Sequence, residues 1–219
     1  MKKLPALFFF LVFLVSFASA EGVDDKVKLA SQVIASRMAS PQPIPDNVLK
    51  AARCVAALKV LKGAVFWKEK DSTGVITCRT SDNQWSEPAF FEVSNVSFGF
   101  QFGKQSLEAV LIVITDSGEK DAAKLSFTLG TDITFAAGPV GTDGGSTLPN
   151  AEVVAYQSMI GLPDDATVDG FTLKYDPDLI NEAYGDEIYP SNLFRTSGTG
   201  APSAVKPFLD TMNTYFPQR

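Results

Sequence analysis

Between Lys50 and Arg79 stand seven basic residues (Lys50, Arg53, Lys59, Lys62, Lys68, Lys70 and Arg79) against two acids, Glu69 and Asp71. Cations grouped this way suit an anionic surface, because each lysine or arginine beside an anionic bilayer contributes on the order of 1 kcal/mol. The plainer reading is a solvated face that serves solubility. From Gly141 to Pro190 the balance reverses, with ten acids and one lysine, Lys174. Such asymmetry can orient a protein against a charged surface. Two cysteines, Cys54 and Cys78, flank the basic stretch and are the full complement. In an exported chain an even count points to a disulfide, here stapling the start of one strand to the end of another. Two buried free thiols are the alternative. Two thiols alone are half a zinc site, and no metal is expected.

Much chemistry is excluded at once, because the chain contains no histidine. A Ser-His-Asp triad, a Cys-His dyad and a histidine-ligated zinc are ruled out. Acids are abundant, yet no spacing singles out a carboxylate pair for hydrolysis. Gly99-Phe100-Gln101-Phe102-Gly103-Lys104 is too short and out of step for a phosphate loop. Gly138-Pro139-Val140-Gly141 lacks the strand-turn-helix setting of a dinucleotide site. Asp176-Pro177-Asp178 breaks the calcium-loop pattern. These read as turns; no cofactor is expected, and a carboxylate-based hydrolase is left as the enzymatic alternative to a binding module. Its 19 basic residues face 25 acidic ones, which disfavours nucleic acid as a partner.

Residues 1–20 read as a signal peptide: Lys2 and Lys3, an apolar run from Leu4 to Phe17, then Ala18-Ser19-Ala20. Cleavage after Ala20 would leave a periplasmic or secreted chain, 21–219, sufficient for a single domain with a sizeable core.

A helical segment is expected over 23–52. Val23, Val27, Ala30, Ile34 and Met38 form a stripe, and Asp46 is placed to cap a short second helix. A β-rich core over 53–175 follows, with strands expected at 54–60, 63–69, 74–79, 89–93, 96–102, 107–115, 125–136, 151–157 and 171–175. A helical turn fits Gly118 to Lys124. A C-terminal helical segment over 178–219 ends in a stripe of Val205, Phe208, Leu209, Met212, Tyr215 and Phe216. The fold class is α+β: an antiparallel, barrel-like or strongly bent sheet with helices at both ends.

Several runs together resemble the SYLF lipid-binding domain. They are Ala52-Arg53-Cys54-Val55-Ala56, Gly74-Val75-Ile76-Thr77-Cys78-Arg79, Trp85-Ser86-Glu87-Pro88-Ala89-Phe90 and Phe98-Gly99-Phe100-Gln101-Phe102-Gly103. Later come Leu129-Gly130-Thr131-Asp132, Ala137-Gly138-Pro139-Val140-Gly141, Asp169-Gly170 and Asn181-Glu182-Ala183-Tyr184-Gly185. The likeness is to the exported bacterial branch. It implies a non-enzymatic protein that binds anionic phospholipid at a membrane surface. Arg53, Lys59, Lys62, Lys68, Lys70 and Arg79 are the candidate contacts. The chain departs from the family pattern at Ile160, where lysine is usual, and at Asp164-Asp165. That departure favours an alternative, a structural module recognising an envelope protein.

Overall fold

The computed structural model describes residues 22–62, 72–95, 105–138, 148, 150–160 and 168–216. The expected signal peptide and the expected strands at 63–69 and 96–102 lie outside them. Eight strands form one sheet: β1 (Cys54–Lys62), β2 (Thr73–Cys78), β3 (Ala89–Ser94), β4 (Gln105–Val113), β5 (Ser126–Thr128), β6 (Phe135–Ala137), β7 (Val153–Ile160) and β8 (Thr172–Tyr175). Their order is β5-β8-β3-β2-β1-β4-β7-β6. All neighbours are antiparallel except β6 and β7. Six helices accompany them: α1 (Val23–Met38), α2 (Asp46–Ala51), α3 (Asp116–Ala122), α4 (Pro177–Tyr184), α5 (Pro190–Leu193) and α6 (Lys206–Tyr215).

The expected strand at 125–136 is corrected by this topology. Its alternating Phe127, Leu129, Ile133 and Phe135 mimic one strand, but the run is two short strands at opposite edges of the sheet. Gly130 breaks it with φ +82°, and a Cβ there would stand 2.0 Å from Asp169 Oδ1. Laid flat, eight strands would set β5 and β6 roughly 34 Å apart. The seven steps from Thr128 to Phe135 reach at most about 25 Å. The sheet therefore has to curl, and it does so as a half-barrel. The expected α+β architecture holds.

The apolar stripe of α1 is buried through Val23, Val27, Ala30, Val33 and Ile34, and packs on β1, β2, β4 and α6. Both ends of α1 are pinned. Glu182 of α4 accepts from the Val23 N–H at 3.0 Å, placing a carboxylate at the positive end of the helix. A Cβ on Gly22 would lie 2.6 Å from Glu182 Oε1, so a larger residue there would push the capping carboxylate aside. At the other end Arg37 donates to the Gln157 carbonyl and, at 2.8 Å, to Ser158 Oγ on β7. The stripe of α6 is likewise buried at Phe208, Leu209 and Met212. Asp46 does not cap α2, which is a second correction. Pro45 occupies the N-cap position in extended geometry, and its carbonyl accepts from Val48 and Leu49. The helical turn expected at 118–124 is α3, which begins two residues earlier and is capped by Thr115 Oγ1.

Cys54 and Cys78 face each other in register across β1 and β2 and form a disulfide. The adjacent rung, Arg53 with Arg79, carries the backbone hydrogen bond. The cysteines thus occupy a non-hydrogen-bonded rung, where Cα atoms approach more closely, here to 3.9 Å. Ser86, fully buried, completes this end of the sheet. Its hydroxyl accepts from Cys78 N–H at 3.1 Å, and its N–H donates to the Cys78 carbonyl.

Replacing both cysteines (C54A/C78A) should lower stability by about 3–4 kcal/mol through the loop they close, read as a denaturant midpoint. A second prediction concerns pH. Hydrogen bonds from Ser117 and Thr134 hold the Glu152 carboxyl below its ordinary 4.5. A depressed carboxylate contributes stability above its unfolded-state pKa and loses it as pH falls through the lower folded value. The melting temperature should therefore drop below about pH 4.5 less steeply in E152Q than in the wild type.

Candidate functional site

The six candidate cations divide by what surrounds them. Arg53 precedes β1 and bridges to two carboxylates of α3, Asp116 and, at 2.9 Å, Glu119. Lys59, in the middle of β1, pairs at 2.8 Å with Glu108, directly opposite on β4. Such cross-strand pairs contribute roughly 0.2–1 kcal/mol. Arg79 follows β2, and its guanidinium lies 3.9 Å above the Trp85 ring. Its two terminal nitrogens donate to the carbonyls of Asn83 and Phe216, each at 2.9 Å.

These three side chains hold the fold together. Arg53 and Arg79 share one end of the sheet, while Lys59 is six residues along β1, roughly 20 Å away. Lys62 ends β1, and Lys68 and Lys70 follow outside the described residues. The structure therefore does not gather Arg53, Lys59 and Arg79 into one contact face.

Around Arg79 the segment Trp85–Pro88 acquires its reason. Trp85 Nε1 donates to the Phe216 carbonyl at 3.3 Å, and the two rings meet edge to face at 6.1 Å. The C-terminal helix is thus fastened to the sheet by one arginine and one tryptophan. Pro88 contributes its carbonyl, which accepts from Tyr184 Oη at 2.7 Å. Burial raises the Tyr184 phenol far above its ordinary value, and the nearby Glu87 adds to this. Glu87 is itself raised, by burial. The motif Asn181–Gly185 thereby serves two neighbours, with Glu182 on α1 and Tyr184 on Pro88. Leu129–Asp132 likewise meets Asp169-Gly170, since Gly170 N–H donates to the Leu129 carbonyl and Leu129 N–H to Phe171.

Residue spacing missed two features. Arg37 is desolvated, which lowers its pKa, yet nothing in the sequence pairs it with β7. A groove of about 660 Å³ runs between α1 and α6, lined by Val27, Ala35, Pro207 and Tyr215 among others. Its lining hydroxyls Ser31, Thr211 and Thr214 each donate to a carbonyl one turn back in their own helices. The amphipathic stripes predict two neighbouring helices but not the gap between them. Among the described residues, no cluster of three or more His, Cys, Asp or Glu could hold a metal ion. No described helix is long and apolar enough to cross a membrane.

The family model described as Ysc84, Las17-binding protein actin regulator, matches residues 94–215, more than half of the chain. LAS seventeen-binding protein 3 of Saccharomyces cerevisiae is 25% identical over 201 residues, covering 86% of this chain and 44% of that protein. An SH3 domain-containing protein of Schizosaccharomyces pombe is 26% identical over 183 residues, covering 81% and 42%. Human SH3 domain-containing YSC84-like protein 1 is 29% identical over 144 residues, covering 64% and 42%. The chain spans less than half the length of these relatives. One of these names describes a binding protein, the other two describe SH3 domain-containing proteins, and none describes an enzyme.

Arg79→Lys keeps the charge but removes the planar stack and the two-pronged hydrogen bonding. Stability should fall by about 1–3 kcal/mol, measured by chemical denaturation with Trp fluorescence.

Proposed function

Because the chain belongs to the Ysc84 (SYLF) family, we propose that it is a non-enzymatic protein that docks peripherally on anionic phospholipid. Family membership is the observation that carries this reading. In this proposal the protein works in the periplasm or outside the cell, after loss of residues 1–20. The contacts fall to Lys62, Lys68 and Lys70, because Arg53, Lys59 and Arg79 already have partners within the fold. Lys62 is the last residue of β1, and the other two precede Thr73, the first of β2. Three lysines at about 1 kcal/mol each give weak, salt-sensitive docking.

A second reading is a protein-recognition module without lipid affinity. The acid-rich stretch after Gly141 and the Ile160 departure favour it, as do relatives named for binding Las17.

Co-sedimentation with phosphatidylglycerol or cardiolipin liposomes, against phosphatidylcholine, at low and high salt separates the two. Lipid docking predicts retention on the anionic liposomes alone, lost at high salt. In K62E/K68E/K70E it should weaken by about a hundredfold or more. Equal, negligible sedimentation with every liposome would sink the lipid reading and leave the second.

A further inference from the structure

Among the described residues β5 lies at an edge of the sheet, with β8 on one side and no strand on the other. Edges of this kind are templates for pairing with another chain. Which groups point outward follows from the register. Tyr175 N–H donates to the Leu125 carbonyl and Leu129 N–H to the Phe171 carbonyl. Residues 125, 127 and 129 therefore bond inward to β8, and Ser126 and Thr128 turn their N–H and C=O groups away from it.

The two outward rungs differ. At Thr128 both groups are occupied by the turn that follows. Asp132 Oδ2 accepts the Thr128 N–H at 2.7 Å. Asp132 N–H, at 2.8 Å, and Ile133 N–H, at 3.3 Å, donate back to the Thr128 carbonyl. At Ser126, among the described residues, no hydrogen bond forms outside the β5–β8 ladder. Beside that open rung sit Leu125 and Tyr189, 51% and 49% exposed, two of the three exposed large apolar side chains among the described residues. They line a common cleft with Ala123 and Ser191. The edge thus combines an unpaired rung with apolar surface, and what keeps it short is one carboxylate.

We propose that Asp132 is an edge guard that keeps β5 from pairing with the same edge of a second copy of this chain. With Thr128 closed, a single open rung offers too few hydrogen bonds for a stable inter-chain ladder. Without the carboxylate the Thr128 N–H reopens and the turn loosens. The Thr128 N–H then joins the open Ser126 rung next to Leu125 and Tyr189, which association would bury, while the Thr128 carbonyl stays held by the backbone of the turn. A charged side chain at the edge is a known device against such pairing, and here it works through a specific hydrogen bond.

The test is sedimentation velocity over a concentration series, comparing wild type with D132A, D132N and D132A/S126P. D132A should self-associate about tenfold or more tightly than wild type. D132N should sediment as wild type, because its carboxamide oxygen still accepts. S126P should reverse the effect of D132A, since proline removes the outward N–H without losing a bond to β8. A D132A protein that is folded by circular dichroism yet sediments as wild type overturns the proposal, as does association that persists with S126P. Should D132A not fold, amide exchange in the wild type decides. The Thr128 amide should exchange about tenfold or more slowly than that of Ser126, and equal rates would overturn the proposal.

Discussion

The two edges of the sheet belong to one short run of chain, and the rest of the structure follows from that. β5 and β6 are joined by six residues, too few to span a flat eight-stranded sheet. Curling is therefore imposed by connectivity as well as by strand twist. A curled sheet needs apolar cover, and the central strands have it. Val55, Leu58, Val75, Ile76, Val110 and Ile112 are all fully or nearly fully buried. Two amphipathic helices from opposite ends of the sequence pack together as part of that core, α1 reaching β1, β2 and β4.

Polar groups act mainly as fasteners on this frame. Glu182 and Arg37 fix the ends of α1, Arg53 ties β1 to α3, and Arg79 with Trp85 holds the end of α6. The disulfide and Ser86 close the same end of the sheet as Arg79.

The helical stripes of α1 and α6 were legible because their apolar spacing follows a 3.6-residue period and each buries one face. The cysteine pair was legible from its even count. What escaped the sequence were relations between distant residues. Thr128 to Phe135 alternates like a strand, but the positive φ of Gly130 beside Asp169 and the turn closed on Thr128 break it. Asp46 has the right side chain for a cap, but Pro45 sets the local geometry. The basic stretch could be counted but not oriented. The partners of Lys59, Arg53 and Arg79 are Glu108, Glu119 and Phe216, all far along the chain. Among the described residues, three pairs of the motifs that gave the family resemblance touch, 52–56 with 74–79, 85–90 with 181–185 and 129–132 with 169–170, so they identify the fold more directly than a ligand.

The bond between Val23 and Glu182 joins residues 159 positions apart. α1 precedes every strand of the sheet, yet the carboxylate that caps it and the helix α6 that flanks it come more than 150 residues later. Closing so large a loop costs entropy before any contact repays it. Folding therefore depends in part on long-range encounters, the kind that slow chains of high contact order. Until residues 177–216 are in place, the apolar face of α1 lacks the part of its cover that α4 and α6 supply. The feature that gives the native state its tight closure is the same one that leaves the unfinished chain open to aggregation.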